Sequence, residues 1–283
     1  EVGFAMERAV DLVANELNID PAEVRFRNMI KADQMPYSVG LTYRDGVPIV
    51  YDSGDYPKAL ERALEELGGL KSIRKRQKDA LRQGRYIGLG LGCYVEGTGV
   101  GPFEGATVKI DATGKIVVAT GACPQGQGHE TVFAQVTADL WKVPIEDVYV
   151  TVADTAHVTM GYGTLASRST VTASGAIQLA SDQIKEKAFS IASDILEAGE
   201  QDLELRDSGV GVKGVPGMHI SFRDIATAAR PGWGHKRPEG IDAGLEATSY
   251  YEPPTVTWAY AANAAIVEVN PATGQVLIEN YVE

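Results

Sequence analysis

The longest unbroken helical period in the chain constrains its fold most. Ile177, Ala180, Ile184, Ala188, Ile191 and Ile195 recur three to four residues apart. They form one apolar stripe on a helix running from about residue 169 to 196. A stripe of that length needs a second layer to cover it. The segments around it carry the other period. Val148 to Val152 is β-branched, and 106–110 and 116–120 alternate around the turn Asp111-Ala112-Thr113-Gly114, a hairpin pattern. Short strands are expected near 203–213, a helix near 221–229, and strands at 245–251, 260–269 and 275–282. Strands and helices mix without regular βαβ alternation, which predicts an α+β fold.

The first third reads differently. Met6, Val10, Val13 and Leu17 mark a helix over 3–17, and Asn18-Ile19-Asp20-Pro21 ends it and caps a second, short helix to about Asn28. Pro36, Gly40, Gly46, Pro48 and Gly54 make 31–54 an extended, loop-rich connection. Asp55 caps a helix striped by Tyr56, Leu60, Leu64 and Leu67. The segment 71–85 is basic and polar, a solvated helix leading to a domain boundary near Gly84, with one domain over 1–84 and the other over 85–283. The chain opens almost at once into helix and stops inside a strand, so both ends read as cuts through a longer protein.

The 283 residues carry a net charge of −12. That argues against nucleic acid or an anionic membrane as partner, since either needs a basic face. No stretch is long and apolar enough for a membrane-spanning helix. Cys93 and Cys123 have neither disulfide-framework nor metal-ligand spacing, so a reducing, cytoplasmic setting is the default.

Two glycine-rich loops carry the chemistry. Pro124-Gln125-Gly126-Gln127-Gly128-His129-Glu130 lies between a strand and an amphipathic helix. Glycines there allow positive φ and close backbone approach to a ligand, while the helix start offers N–H donors and a positive dipole end. It is not the dinucleotide fingerprint, which needs a third glycine. The second loop, Gly161-Tyr162-Gly163-Thr164-Leu165-Ala166-Ser167-Arg168-Ser169-Thr170, opens the longest helix. Ser167, Ser169 and Thr170 are hydroxyl donors suited to a helix cap or a phosphate, and Arg168 suits bidentate contact with a phosphate oxygen. Taken alone, the first loop also reads as a tight strand-to-helix connection with Gln at exposed positions, and the second as a helix cap with a surface Arg. Taken together, they suggest two helix N-termini converging on an anionic, phosphate-bearing ligand.

These stretches resemble a known family. Gln125 to Gln135 is similar to the molybdopterin-contacting loop and helix of the molybdenum hydroxylases, the family of xanthine dehydrogenase and aerobic carbon monoxide dehydrogenase, and Gly163 to Thr170 to their second cofactor loop. Residues 51–56 and 94–106 resemble the carbon monoxide dehydrogenase large-subunit branch, and Met6-Glu7-Arg8 and 25–28 fit the helical segment before them. The resemblance implies molybdopterin with molybdenum, often as the cytosine dinucleotide. Gly126, Gln127 and Gly128 would lie on the pterin and dithiolene side, flanked by Gln125 and His129. Ala166, Ser167, Arg168, Ser169 and Thr170 would hold the phosphate and nucleotide side. It also implies hydroxylation or oxidation of a small substrate with water as oxygen source, and iron–sulfur and flavin subunits or domains as partners, in a dimer of such units. The family's metal-facing loop and catalytic glutamate fall outside these residues, so no catalytic residue and no protein metal ligand is assigned, and residues 1–283 alone are expected to be inactive. Two other readings stay open, a non-catalytic module binding another phosphorylated ligand, and an interaction scaffold.

The remaining candidates have plainer readings. Cys123 reads as a small buried residue at a strand end, and Glu96 and Glu104 as loop carboxylates. His157, His219 and His235 read as surface residues, and Trp233-Gly234-His235 as a surface loop. Tyr250, Tyr251 and Trp258 flank Pro253-Pro254 and read as packing aromatics rather than a substrate funnel.

Overall fold

The apolar periods fold close to where the sequence marks them. The structure is a computed structural model describing residues 2–232 and 237–283, so Trp233-Gly234-His235 lies outside the described residues. The chain opens with helices α1 (Val2–Leu17) and α2 (Pro21–Asn28), then strands β1 (Tyr37–Thr42) and β2 (Pro48–Tyr51). Helices α3 (Tyr56–Glu66) and α4 (Leu70–Arg82) lead to the long strand β3 (Tyr86–Thr98). Next come β4 (Glu104–Ile110), β5 (Ile116–Thr120), α5 (His129–Trp141), β6 (Val148–Val152) and α6 (Ser169–Leu196). The last elements are β7 (Leu203–Arg206), β8 (Gly209–Val212), β9 (His219–Ser221), α7 (Phe222–Ala228), β10 (Glu246–Tyr251), β11 (Thr257–Val269) and β12 (Val276–Val282). The class is α+β, and no described helix is long and apolar enough to cross a membrane.

Two compact units result. One comprises the residues up to Gly97 together with Thr257–Glu283, the other Thr98–Val256. This division differs from the boundary expected at residue 84. The reason is strand pairing: β3 lies beside β11 in a three-stranded sheet of order β12-β11-β3, so its backbone groups are satisfied in the first unit.

In the first unit, Leu60, Leu64 and Ile73 pack with Ala262 and Ile266 of β11. Asp20 accepts from the Ala22 N–H at the start of α2, and its carboxylate takes both Arg74 Nε at 2.6 Å and Nη2 at 2.8 Å. The buried guanidinium of Arg25 joins α1 to α2 through Glu7 and Asp11, 2.8 and 3.0 Å away. The helix expected over 3–17 forms as α1, with Met6, Val13 and Leu17 exposed and Ala14 its buried residue. The connection read as loop over 31–54 contains the antiparallel β1–β2 hairpin, whose register shifts between Ser38 and Thr42. Gly40 sits inside that irregularity at φ +76°, and such a break hides the period-2 signal. Trp258 packs edge-on to Tyr43 and Tyr51.

In the second unit, a four-stranded sheet has the order β10-β4-β5-β6. The β10–β4 and β4–β5 pairs are antiparallel, whereas β5 and β6 run parallel, with α5 as the crossover between them. The stripe of α6 buries Ala173, Ala176, Ile177, Ala180, Ile184, Ala188 and Ile191. Its alanines bring the helix close to β4 and β10. At Gly175 a Cβ would fall 2.5 Å from the Tyr251 ring, so the glycine admits the aromatic face. Trp141 at the end of α5 is fully buried and donates its indole N–H to Ser181 of α6 at 3.0 Å. A buried indole needs such a partner. Strands β7, β8 and β9 form a separate antiparallel meander.

Candidate functional site

The parallel pairing of β5 with β6 determines where the two glycine-rich loops go. Thr120 at the end of β5 pairs with Val152 at the end of β6, so both loops leave the same edge of the sheet. Because β4 is antiparallel to β5, its first residue, Glu104, comes to this edge as well. A crevice beyond the carboxyl ends of parallel strands is where α/β sheets commonly take ligands.

Glycine permits the two loops to touch. A Cβ on Gly161 would lie 2.7 Å from Gly121 Cα, and a Cβ on Gly121 would lie 2.7 Å from Gly161 Cα. Further out, the Gln125 amide donates to the Thr164 carbonyl at 3.5 Å, and Gln127 Oε1 accepts from the Gln125 N–H at 2.6 Å. The structure thus brings Gln125, Gln127 and the second loop together, with Gln127 bracing its own loop. Gly126, at φ +104°, and Gly128, at φ +72°, have open space where a side chain would stand, a cradle that a Cβ would strain and fill.

Each loop leads into a helix with no side-chain cap. Gly128 precedes α5 in the left-handed conformation, and Arg168 precedes α6 without capping it. The capping role expected of the hydroxyls is therefore not what the structure shows. Ser169 is the first residue of α6, and its hydroxyl donates to Thr164 Oγ1 at 2.9 Å. Ala166 and Ser167 are consecutive non-glycine residues at positive φ, +44° and +54°. Such backbone costs about 1–2 kcal/mol per residue and concentrates at ligand-binding loops.

Exposure sorts the ten expected contact residues. Gln125, Gly126, Gln127, Gly128, Ala166, Ser167 and Thr170 are exposed, whereas His129, Arg168 and Ser169 are buried. His129 packs its ring against Phe133, and its Nδ1 is buried without a partner. Arg168 requires a correction. Expected as a phosphate partner, its guanidinium is fully buried and spent inside the protein. Nε donates to the Val100 carbonyl at 2.7 Å, Nη1 to Glu104 Oε2 at 3.0 Å and to the Gly163 carbonyl at 2.5 Å, and Nη2 to the Phe103 carbonyl. Tyr162 covers its face, 5.1 Å away.

Glu104 is the residue the sequence reading missed. Read as a loop carboxylate, it opens β4, is fully buried and pairs with Arg168. The available signal was its position immediately before the alternating β4 run and two residues after Pro102 in a glycine-rich stretch. Cys123 also differs from expectation, being exposed rather than buried. His157 is an exposed loop residue 3.8 Å from Asp154, while His219 is half-buried on β9 against the Arg206 carbonyl. Tyr250 packs on Phe103.

These residues fit a polar, anionic group of the molybdopterin kind. Two positive helix ends, open glycine positions and an orphaned buried imidazole nitrogen all belong to the loop-to-helix junctions that follow β5 and β6. Arg168 is the only Lys or Arg in the two loops, and its guanidinium is bonded internally, so the donors the loops present are backbone N–H groups, amides and hydroxyls.

Comparison with known proteins agrees. Residues 63–283 match the molybdopterin cofactor-binding domain family. The chain is 33% identical over 290 residues to the carbon monoxide dehydrogenase large chain of Afipia carboxidovorans, covering 97% of this chain and 35% of that protein. It is also 33% identical to the nicotine 6-hydroxylase large subunit of Paenarthrobacter nicotinovorans, over 98% of this chain and 34% of that one. Among solved structures, reconstituted CO dehydrogenase from Oligotropha carboxidovorans superposes with a TM-score of 0.84 at 32% identity, over 99% of this chain and 35% of the other. The chain thus spans about a third of the length of these relatives, and it belongs to the molybdopterin cofactor-binding domain family found in the large subunits of molybdenum hydroxylases.

Proposed function

We propose that the two loops at the β5–β6 edge hold molybdopterin, in its cytosine dinucleotide form, as part of a molybdenum hydroxylase large subunit. The observation that carries this reading is the Gln125–Thr164 contact between two loops that each lead into an uncapped helix N-terminus. Gly126, Gln127 and Gly128 lie against the pterin and dithiolene side, with Gln125 flanking and His129 offering its unpartnered Nδ1. Ala166, Ser167 and Thr170 take the phosphate and nucleotide side through backbone and hydroxyl donors, while Ser169 and Arg168 hold the loop. When bound, the cofactor supplies the redox chemistry, hydroxylation or oxidation of CO, an aldehyde or an N-heterocycle with oxygen from water. The chain's own residues bind and orient it. Electrons leave to iron–sulfur and flavin subunits, in a dimer of such assemblies.

The test is the composition of the full-length protein with its partner subunits. Molybdenum, a fluorescent oxidised pterin and CMP released on hydrolysis, in equal amounts, are expected. Molybdenum and pterin without CMP would overturn the dinucleotide form. A preparation that binds nucleotides but lacks both would overturn the whole reading in favour of a module for another phosphorylated ligand.

A further inference from the structure

We propose that Glu104 and Arg168 are a positioning pair that sets the shape of the second cofactor loop, so that cofactor retention depends on two residues that do not touch the cofactor. The inference rests on the molybdopterin reading for its ligand, and on the geometry of this pair for everything else. Both side chains are fully buried, and their charged atoms lie 3.0 Å apart.

The pair holds both sides of Gly163. Its N–H donates to Glu104 Oε2 at 3.0 Å, and its carbonyl accepts from Arg168 Nη1 at 2.5 Å. Gly163 is thereby fixed at φ +90°, and it directs the chain into Thr164, which contacts Gln125 in the first loop and Ser169 in α6. The same guanidinium draws in the carbonyls of Val100 and Phe103, and the second carboxylate oxygen accepts from the Gly105 N–H at 3.1 Å. Two stretches of backbone, 100–105 and Gly163, thus converge on one ion pair. Next to them, Gly99 donates its N–H to the Ser167 carbonyl at 3.2 Å, inside the left-handed stretch itself.

The glycines around the pair are explained by its size. A Cβ at Gly101 would fall 3.0 Å from Arg168 Nε, and one at Gly121 or Gly161 would fall 2.8 Å from Glu104 Oε1. Side chains at those positions would displace the ions. A planar guanidinium is also specifically required. It serves four acceptors lying in different directions within one fork, whereas an ammonium presents three donors from a single point.

The test compares wild type, Arg168→Lys and Glu104→Gln in the full-length protein with its partner subunits. The readouts are the rate of pterin and molybdenum loss on dilution well below the unfolding temperature, and amide exchange along 163–168 and along α6. Both variants should lose cofactor about tenfold faster or more, the equivalent of one charge-assisted hydrogen bond. Exchange should quicken at 163–168 while the buried turns of α6 stay protected. A merely structural role would lower thermal stability without changing the loss rate. Unchanged loss rates in both variants would overturn the proposal. If neither variant folds, wild-type exchange decides: the Gly163 amide should be as protected as the amides of β5, and exchange at the rate of an open loop would overturn it. A wild type without pterin would instead defeat the cofactor reading, leaving the Gly163 measurement as a separate test of the pair.

Discussion

Replacing Gly161 by alanine tests the contact that brings the two loops side by side. Gly161 needs no positive φ, so its effect is steric alone. The added methyl would lie 2.7 Å from Gly121 Cα and 2.8 Å from Glu104 Oε1, against an ordinary carbon contact of about 3.5–4.0 Å. Backbone stands on one side and a buried charge on the other, so neither moves cheaply. Overpacking of this kind typically costs about 1–3 kcal/mol, with the upper end expected where Glu104 is pushed off the Gly163 amide. For a unit the size of residues 98–256, that is a fall in Tm of about 2–12 °C. Gly217→Ala is the control, because Gly217 has neither positive φ nor any atom close to the added methyl. Scanning calorimetry should show the Gly161 variant shifted and the control unshifted. A Gly161→Ala protein melting within about 1 °C of wild type would show that the loops do not meet as described.

Two other positions give independent checks. The hydrogen-bonded guanidinium of Arg74 holds Asp20 below its ordinary value of 3.8, so the pair's contribution is fully present above that pH and is lost as pH falls through the lower folded value. Asp20→Asn keeps an oxygen for the Ala22 N–H but loses the ion pair, so it should cost about 1 kcal/mol at pH 7 and progressively less below about pH 4; a pH-independent difference in denaturant unfolding would contradict this. Burial pushes the Cys93 thiol up to about 11, whereas Cys123 is exposed, so iodoacetamide at pH 8 should modify Cys123 first and Cys93 only slowly, as read by peptide mass. Equal labelling rates would mean the first unit is open around β3.

Much of the fold was legible because most elements carry a strong period. The stripe from Ile177 to Ile191 in α6 is buried where the helical spacing places it, and the β4–β5 hairpin turns at Asp111 to Gly114 as its alternation implies. The failures share a cause. Periodicity reports which face is apolar but not what covers it, so the α1 stripe was legible while the exposure of Met6 and Leu17 was not. The unit boundary was hidden because β3 pairs with a strand that begins more than 150 residues later, and pairing at that separation leaves no local mark. At β1, an irregularity within the strand broke the alternation that would have revealed it.

At the site, the glycines carried the readable signal and the charges misled. Gly126, Gly128 and Gly163 announce positive φ and open space, because a side chain is excluded there by backbone geometry that the sequence records directly. Arg168 announces only a cation. Whether its five donors turn outward to a phosphate or inward to carbonyls depends on an acidic partner 64 residues earlier in the chain. The deciding clue lay in what surrounds the partner: glycine at 99, 101 and 105 next to Glu104, and at 121 and 161 in the two loops that converge on it. Several residues without side chains around one carboxylate make room for a large ion inside the protein. A surface Arg would not need that room. On this argument a buried glutamate ringed by glycines, paired with an arginine at a helix start, points to an internal brace rather than to a surface contact.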